Sequence, residues 1–343
     1  MNLIYLILTI LWFSLIAYAA FGGADFGAGI WDMFAFGHSA EDQHKLIDRA
    51  LGPVWETNHV WLVFLVVGLF SAFPSAFAAL CIVLFIPLTL ALVGSVLRGA
   101  AFIFRTHGLR VGRPARQIWA RTFSFSSSIT PFFLGASAAA VASGKIRLRT
   151  GPIETDTGSL WLTPFALTIG CMAITLCATL AAIYLTVEAT NEGERELAEG
   201  FRWRGLFAGA VTAVLGALGL LLSASEAPIL WQGMLARALP LVLATMLIGL
   251  ATAVTLFFRY YRIARGLIVA ETAFLLGSWG VSQIPYLIPP DVTVEKAAGV
   301  PGTLFLLLIG IIIGMLIILP SIYYLFRVFK LNNRVGFFQR NSN

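Results

Sequence analysis

Charge is scarce in this chain: Asp, Glu, Lys and Arg make up 12% of its 343 residues, about half their share in an ordinary soluble domain. That excludes a globular fold with a fully wetted surface. Histidine and cysteine are scarcer still, with four and three copies. His38, His44 and His107 fall in predicted loops and only His59 in a predicted span, which excludes a bis-histidine haem held between spans. Pairing of His59 with Met172, Met246 or Met315 stays open, although Met more often fills gaps. Cys81, Cys171 and Cys177 all lie inside apolar runs, where they act as small apolar residues, so no disulfide framework or metal pattern is indicated. The start of the chain also lacks a basic region. Ala17-Tyr18-Ala19 imitates a cleavage box, but no Lys or Arg precedes it, and the segment is expected to stay as a first helix.

What is abundant is apolar sequence, at 59% hydrophobic residues and a mean hydropathy of +0.87. Stretches of spanning length, roughly 20 residues each, occur at about 3–22, 52–73, 75–97, 117–142, 160–187, 203–223, 236–257, 264–284 and 303–326. The expected fold is therefore an all-α membrane protein of about nine transmembrane helices, with residues 1–343 forming one polytopic domain. The first helix can run on through Ile30-Trp31 towards Phe36. Connections are short, and Pro74 leaves almost no loop, which predicts that the second and third helices are antiparallel neighbours. The segment Glu188–Arg204 reads as a solvated turn or short surface helix.

Cytoplasmic loops retain Lys and Arg. With the N-terminus outside, the inner side carries Lys45, Arg49, the Arg105–Arg121 cluster, Arg195–Arg204, Arg259–Arg265 and Arg327–Arg340. The outer side is left with Lys145, Arg147, Arg149, Arg237 and Lys296. This predicts an outer N-terminus and a cytoplasmic C-terminus. It also accounts for the net charge of +6 without a nucleic-acid partner.

Ionisable groups are costly in lipid, so those within or beside spans are candidates for function. Asp25 lies in Phe21-Gly-Gly-Ala-Asp-Phe-Gly27, and Glu56 lies in Pro53-Val-Trp-Glu-Thr-Asn-His-Val-Trp61. Under the predicted topology both sit near the cytoplasmic face and can meet. Desolvation disfavours the charged form of a carboxyl unless a cation is near, and such a group can pass protons. Arg98 either snorkels to the interface or pairs with one of these acids. Asn58 and His59 extend the polar face of the second helix, where they can orient water or a quinone headgroup; Trp55 and Trp61 flank it and can pack there. Glu271 is a weaker intramembrane candidate, and Glu226 reads as interfacial. Glu56 with His59 also matches the Glu-x-x-His element of di-iron bundles, but a second copy is missing.

Taken together, these segments resemble subunit II of the cytochrome bd quinol oxidases, including the cyanide-insensitive branch. Gly23-Ala-Asp25-Phe-Gly27 is similar to the helix 1 motif, and Pro53-Val-Trp-Glu56-Thr-Asn58-His-Val-Trp61-Leu62 to the Pro-x-Trp-Asp-Gly-Asn-x-x-Trp-Leu motif. Arg98–Arg105 and Pro285–Pro290 match in type and order. The resemblance implies two four-helix bundles plus one extra helix, in a bacterial cytoplasmic membrane. It implies a heterodimer whose subunit I carries haems b and d and oxidises quinol, with no cofactor in this chain beyond a possible structural quinone. Small single-helix accessory subunits and membrane lipid are further implied partners. By motif position, Glu56 and Asp25 would carry protons from the cytoplasm. Two departures stand out: Gly22 occupies a position that is often Asp in the family, and Glu56 replaces the usual Asp. A proton-coupled secondary transporter is the alternative, and it should show helices broken near the membrane midplane.

Overall fold

In the computed structural model, residues 2–37, 39–51, 55–107, 113–147 and 159–340 are described; side chains at 51, 55–57, 105–107, 113–116, 319, 322 and 325–340 are not. Apolar backbone in lipid must satisfy its own hydrogen bonds, and the long runs duly form helices. Among the described residues, helices of 18 residues or more are α1 (Leu3–Met33), α3 (Trp55–Ala72), α5 (Phe85–His107), α6 (Arg113–Ala142), α7 (Pro164–Asn191), α8 (Arg195–Glu226), α10 (Leu239–Phe257), α11 (Tyr261–Gln283) and α13 (Pro301–Arg340). Seven of the described segments are long and apolar enough to span a membrane, or eight if one bent pair counts as a span. Helix α11, which carries Arg262, Arg265 and Glu271, is not among them.

Helix α1 starts at an Asn2 cap, whose Oδ1 accepts from the Ile4 amide at 3.3 Å, and it runs unbroken through the glycine-rich segment to Met33. Its glycines are the reason it sits so deep. A Cβ on Gly27 would overlap the Cys177 carbonyl of α7, and one on Gly29 would overlap the Ser127 hydroxyl of α6. Small residues permit such close approach of helices in lipid. Helix α1 thus packs on α3, α6 and α7, while α5 lies on α6, α8 on α7, and α10 on α11.

Four expectations change. The apolar run 75–97 is not one span. It divides into α4 (Pro74–Val83), bent by 115° from α3, and α5, whose spanning part is Phe85–Phe104. Among the described residues α3 and α5 do not form a close pair: α3 packs chiefly on α1 and α13, and α5 on α6. Pro74, which has no amide to continue the ladder, opens α4 at the bend, and packing accompanies it. Phe73 is fully buried with Ala76, Ala79 and Val83, against Ile288, Val294, Ala297 and Leu304, and the Ala72 carbonyl accepts from the Gly299 amide at 2.8 Å. Thirdly, the predicted 37–51 loop contains α2 (Ala40–Leu51), with an apolar face that buries Leu46 and Ile47, so His44 lies on a helix. Lastly, α8 begins at Arg195, well before residue 203, directly after a turn at Gly193 with φ +80°.

The bundle has two distinct ends. At one, the C-terminus of α1, helix α2, the α7–α8 turn and the α10–α11 turn meet through Arg204 to Gln43 (2.9 Å), Arg49 to Glu192 (2.6 Å) and Arg259 to Glu199 (2.9 Å). At the other, a two-stranded hairpin, β1 (Tyr286–Ile288) with β2 (Val292–Thr293), and the short α12 (Val294–Ala297) pack beside Arg147 and Asp291, which are 3.5 Å apart. Helix α9 (Pro228–Gly233) leads into α10 through a π-helical turn, Met234–Ala238, and Pro240 in the first turn of α10 lacks the amide that a regular ladder would use there.

Candidate functional site

Asp25 is the point where α1 meets α5. Its Oδ1 accepts from Arg98 Nη2 at 2.6 Å, its carbonyl accepts from the same nitrogen at 3.2 Å, and Arg98 Nε donates to Ser127 Oγ of α6 at 3.0 Å. The rings of Phe26 and Phe123 lie 4.9 and 5.0 Å from the guanidinium carbon. Both charged side chains are almost fully buried, at 4% exposure for Arg98 and 2% for Asp25. Arg98 therefore pairs with the acid and does not snorkel to an interface. The mutual attraction and the extra donors offset a desolvation cost that neither charge could meet alone.

Beside this pair lies a small cavity lined by Tyr18, Asp25, Phe26, Asn58, His59, Leu62, Ser95 and Arg98, with about 10 Å³ open to water centres, close to what one water molecule needs. Asn58 is buried, and neither its Oδ1 nor its Nδ2 has a hydrogen-bond partner among the described residues. Buried amides are normally satisfied, so this site suits a polar guest the size of water. Asp25, Arg98, Asn58 and His59 thus line one cavity. Trp61 packs elsewhere, with its carbonyl accepting from Ser14 Oγ at 3.2 Å and its ring edge-on to Phe13. Glu56 and Trp55 lie in the first turn of α3, just before Asn58, and their side chains fall outside the described residues. Gly22 faces the Tyr18 ring, which borders the same cavity.

The family model for cytochrome bd terminal oxidase subunit II matches residues 3–329. The chain belongs to that family. It is 24% identical over 340 residues to the putative cytochrome bd menaquinol oxidase subunit II of Bacillus subtilis, covering 95% of each chain. It is 26% identical over 203 residues to cytochrome bd-I ubiquinol oxidase subunit 2 of Escherichia coli K12, covering 55% of this chain and 51% of that one. A chain of the bd oxidase structure from Geobacillus thermodenitrificans has the same fold, with a TM-score of 0.76, 23% identity and coverage of 97% and 100%. This bd subunit II is accordingly a multi-pass bacterial membrane protein and part of a quinol oxidase complex.

One buried acid of this subunit II, Asp32, was missed in the sequence. Asp32 follows Asp25 by two helical turns of α1; it is buried, with Oδ1 2.6 Å from His44 Nδ1 and Oδ2 accepting from Ser124 Oγ at 3.4 Å. The available signal was its spacing: seven residues after Asp25 puts both acids on one face of a continued helix. Glu271 is half-buried on α11 opposite Gly249 of α10, where a Cβ would come within 2.9 Å of Oε1. It stands apart from the Asp25 cavity. Outside the spans, burial raises the Glu192 carboxyl above its usual range, opposed by Arg49. Among the described residues, no three His, Cys, Asp or Glu side chains are grouped to hold a metal ion.

Proposed function

We propose that this subunit supports a haem-bearing subunit I and supplies a route for protons from the cytoplasm, through Glu56 and Asp25, to the site of oxygen reduction. The observation that carries the reading is the Asp25–Arg98 ion pair, buried against a polar cavity with the unpartnered amide of Asn58. Such a site is expensive in lipid, and its chemistry suits proton transfer. The redox chemistry is assigned to haems b and d in subunit I. The cavity beside His59 has room for about one water, so a haem does not fit there.

The reading extends to layout. Helices α1, α3, α5 and α6 form one bundle and α7, α8, α10 and α11 the other, with α13 as the extra helix, in a single polytopic domain of nine spans. The contacts of α1 with α3 and α6, of α7 with α8, and of α10 with α11 support this grouping. The N-terminus is outside and the C-terminus cytoplasmic, as the Lys and Arg distribution suggests. Quinol is oxidised by subunit I, and lipid, a structural quinone and small single-helix subunits complete the surroundings. A proton-coupled transporter is disfavoured because the one sharply bent pair among the described residues, α3 with α4, breaks at Phe73 near the hairpin, far along α3 from Asn58.

The test is a co-expressed complex carrying Glu56→Gln or Asp25→Asn. Assembly and haem spectrum of the Glu56→Gln complex should persist while oxygen consumption falls by about 10²-fold or more, the scale of a lost proton-transfer group. Wild-type turnover in both fully assembled variants would sink the proton path.

A further inference from the structure

Several polar groups around the Asp25 cavity are left uncommitted by the protein. Arg98 takes Oδ1 of Asp25, while Oδ2 has no hydrogen-bond partner among the described residues, and neither end of the Asn58 amide has one. Two hydroxyls complete the set. Tyr18 of α1 and Ser95 of α5 both line the cavity, and neither is hydrogen-bonded to a described residue.

Hydroxyls in helices commonly bond back to their own backbone, as Thr9 does to the Tyr5 carbonyl, Ser127 to Phe123 and Thr130 to Ser126. Ser95 does not. The carbonyl four residues before it, on Ala91, accepts instead from Thr130 Oγ1 of α6 at 3.4 Å, and Gly94 makes the room, since a Cβ there would overlap that hydroxyl. The Ala91 oxygen thus serves the helix ladder and Thr130, and the Ser95 hydroxyl is free for the cavity. Tyr18 is held in another way. Its ring lies over Gly22, where a Cβ would come 3.2 Å from Cε2, and its hydroxyl stands within electrostatic reach of Asp25 and Arg98.

We propose that Tyr18 and Ser95 are positioning residues that, with Asn58, hold a single water against Oδ2 of Asp25, so that protons enter this carboxylate through that water; this rests on the proton-path reading above. The cavity has about 10 Å³ open to water centres, room for about one water. Its donors and acceptors match. Oδ2 only accepts, the two hydroxyls can donate, and the Asn58 amide does both, so the water's O–H groups and lone pairs all find partners. A proton arriving on this water makes a hydronium; one O–H bond of the hydronium breaks as the carboxyl O–H forms on Oδ2, leaving a neutral water and a carboxylic acid. With Oδ1 held by Arg98, Oδ2 is the oxygen left to take the proton.

The test is made on the assembled oxidase in membranes, with the haem spectrum counting intact complexes. Tyr18→Phe and Ser95→Ala each remove one hydroxyl and should slow oxygen consumption about tenfold, the scale of one lost hydrogen bond. The KM for quinol should stay unchanged, and the rate ratio between light and heavy water should rise, neither of which a loss of packing predicts. Ser95→Thr keeps the hydroxyl and should run close to wild type, as should Thr9→Val, whose lost hydroxyl is bound to the α1 backbone. A wild-type rate and isotope effect in either deletion strikes that residue from the site, and in both overturns the proposal; so does a Ser95→Thr complex as slow as Ser95→Ala for the part given to Ser95. If Glu56→Gln and Asp25→Asn are slow while Tyr18→Phe and Ser95→Ala are not, only the water site fails; if all run at the wild-type rate, the path itself fails.

Discussion

Arg98 of α5 reaches across to Asp25 of α1 with a 2.6 Å charge-assisted hydrogen bond, and both side chains are shut off from solvent. Removing one member leaves the other charge buried and unpaired, at a cost of about 3–5 kcal/mol. Arg98→Ala should therefore lower the thermal midpoint of the complex strongly or abolish its assembly. The neutral double variant Asp25→Asn with Arg98→Gln should recover much of that stability. Thermal unfolding followed by haem absorbance measures both, and equal losses in the single and double variants would count against an ion pair with this energetic role.

The path of α1 depends on glycine at one contact above all. A methyl on Gly27 would overlap backbone of α7 at Cys177, and backbone cannot rotate away as a side chain can. Overpacking of this kind costs typically 1–3 kcal/mol and sometimes more. Gly27→Ala should reduce the yield of assembled complex, whereas Gly99→Ala, with nothing within 4 Å of the added carbon, should leave it unchanged. Quantifying haem per mole of purified complex distinguishes the two.

The two charges were legible in the sequence because they interrupt apolar runs, and so was the second polar segment, Asn58-His59. Their pairing was not, since the rotation of α5 against α1 is set by side chains on both helices and leaves no local mark. The break at Leu84 was hidden for the same reason. The run 75–97 is apolar throughout, and Val83 and Leu84 at the break are buried with Ile288, Val294 and Leu304, more than two hundred positions away. Helix α2 was passed over because its charged face resembles a solvated loop, and with it went the link from His44 to Asp32.

Asn58 offers a test of the cavity's contents. Its amide has no protein partner among the described residues, and a buried unmatched polar group costs about 1–3 kcal/mol unless water satisfies it. If a water does so, Asn58→Leu should hold or raise the thermal midpoint, because it removes the polar group and fills the space, yet it should slow oxygen consumption by displacing the water from beside Asp25. Asn58→Asp keeps the polarity and should retain more turnover than Asn58→Leu. Equal rates for the two would mean that the cavity plays no part in proton movement.

The distribution of Lys and Arg predicts which face of the membrane each end of the bundle meets. The end that gathers α2, Arg49, Arg204 and Arg259 should be cytoplasmic, and the end with the β1–β2 hairpin should face outward. A green fluorescent protein fused after residue 343 should fluoresce, whereas alkaline phosphatase fused there should be inactive and become active when placed in the 143–159 connection. The opposite pattern would invert the topology. It would also put the C-terminal end of α1, with Asp25 near it, on the outer side, where it could not take up protons from the cytoplasm, so this measurement bears on the proton route as directly as any substitution within it.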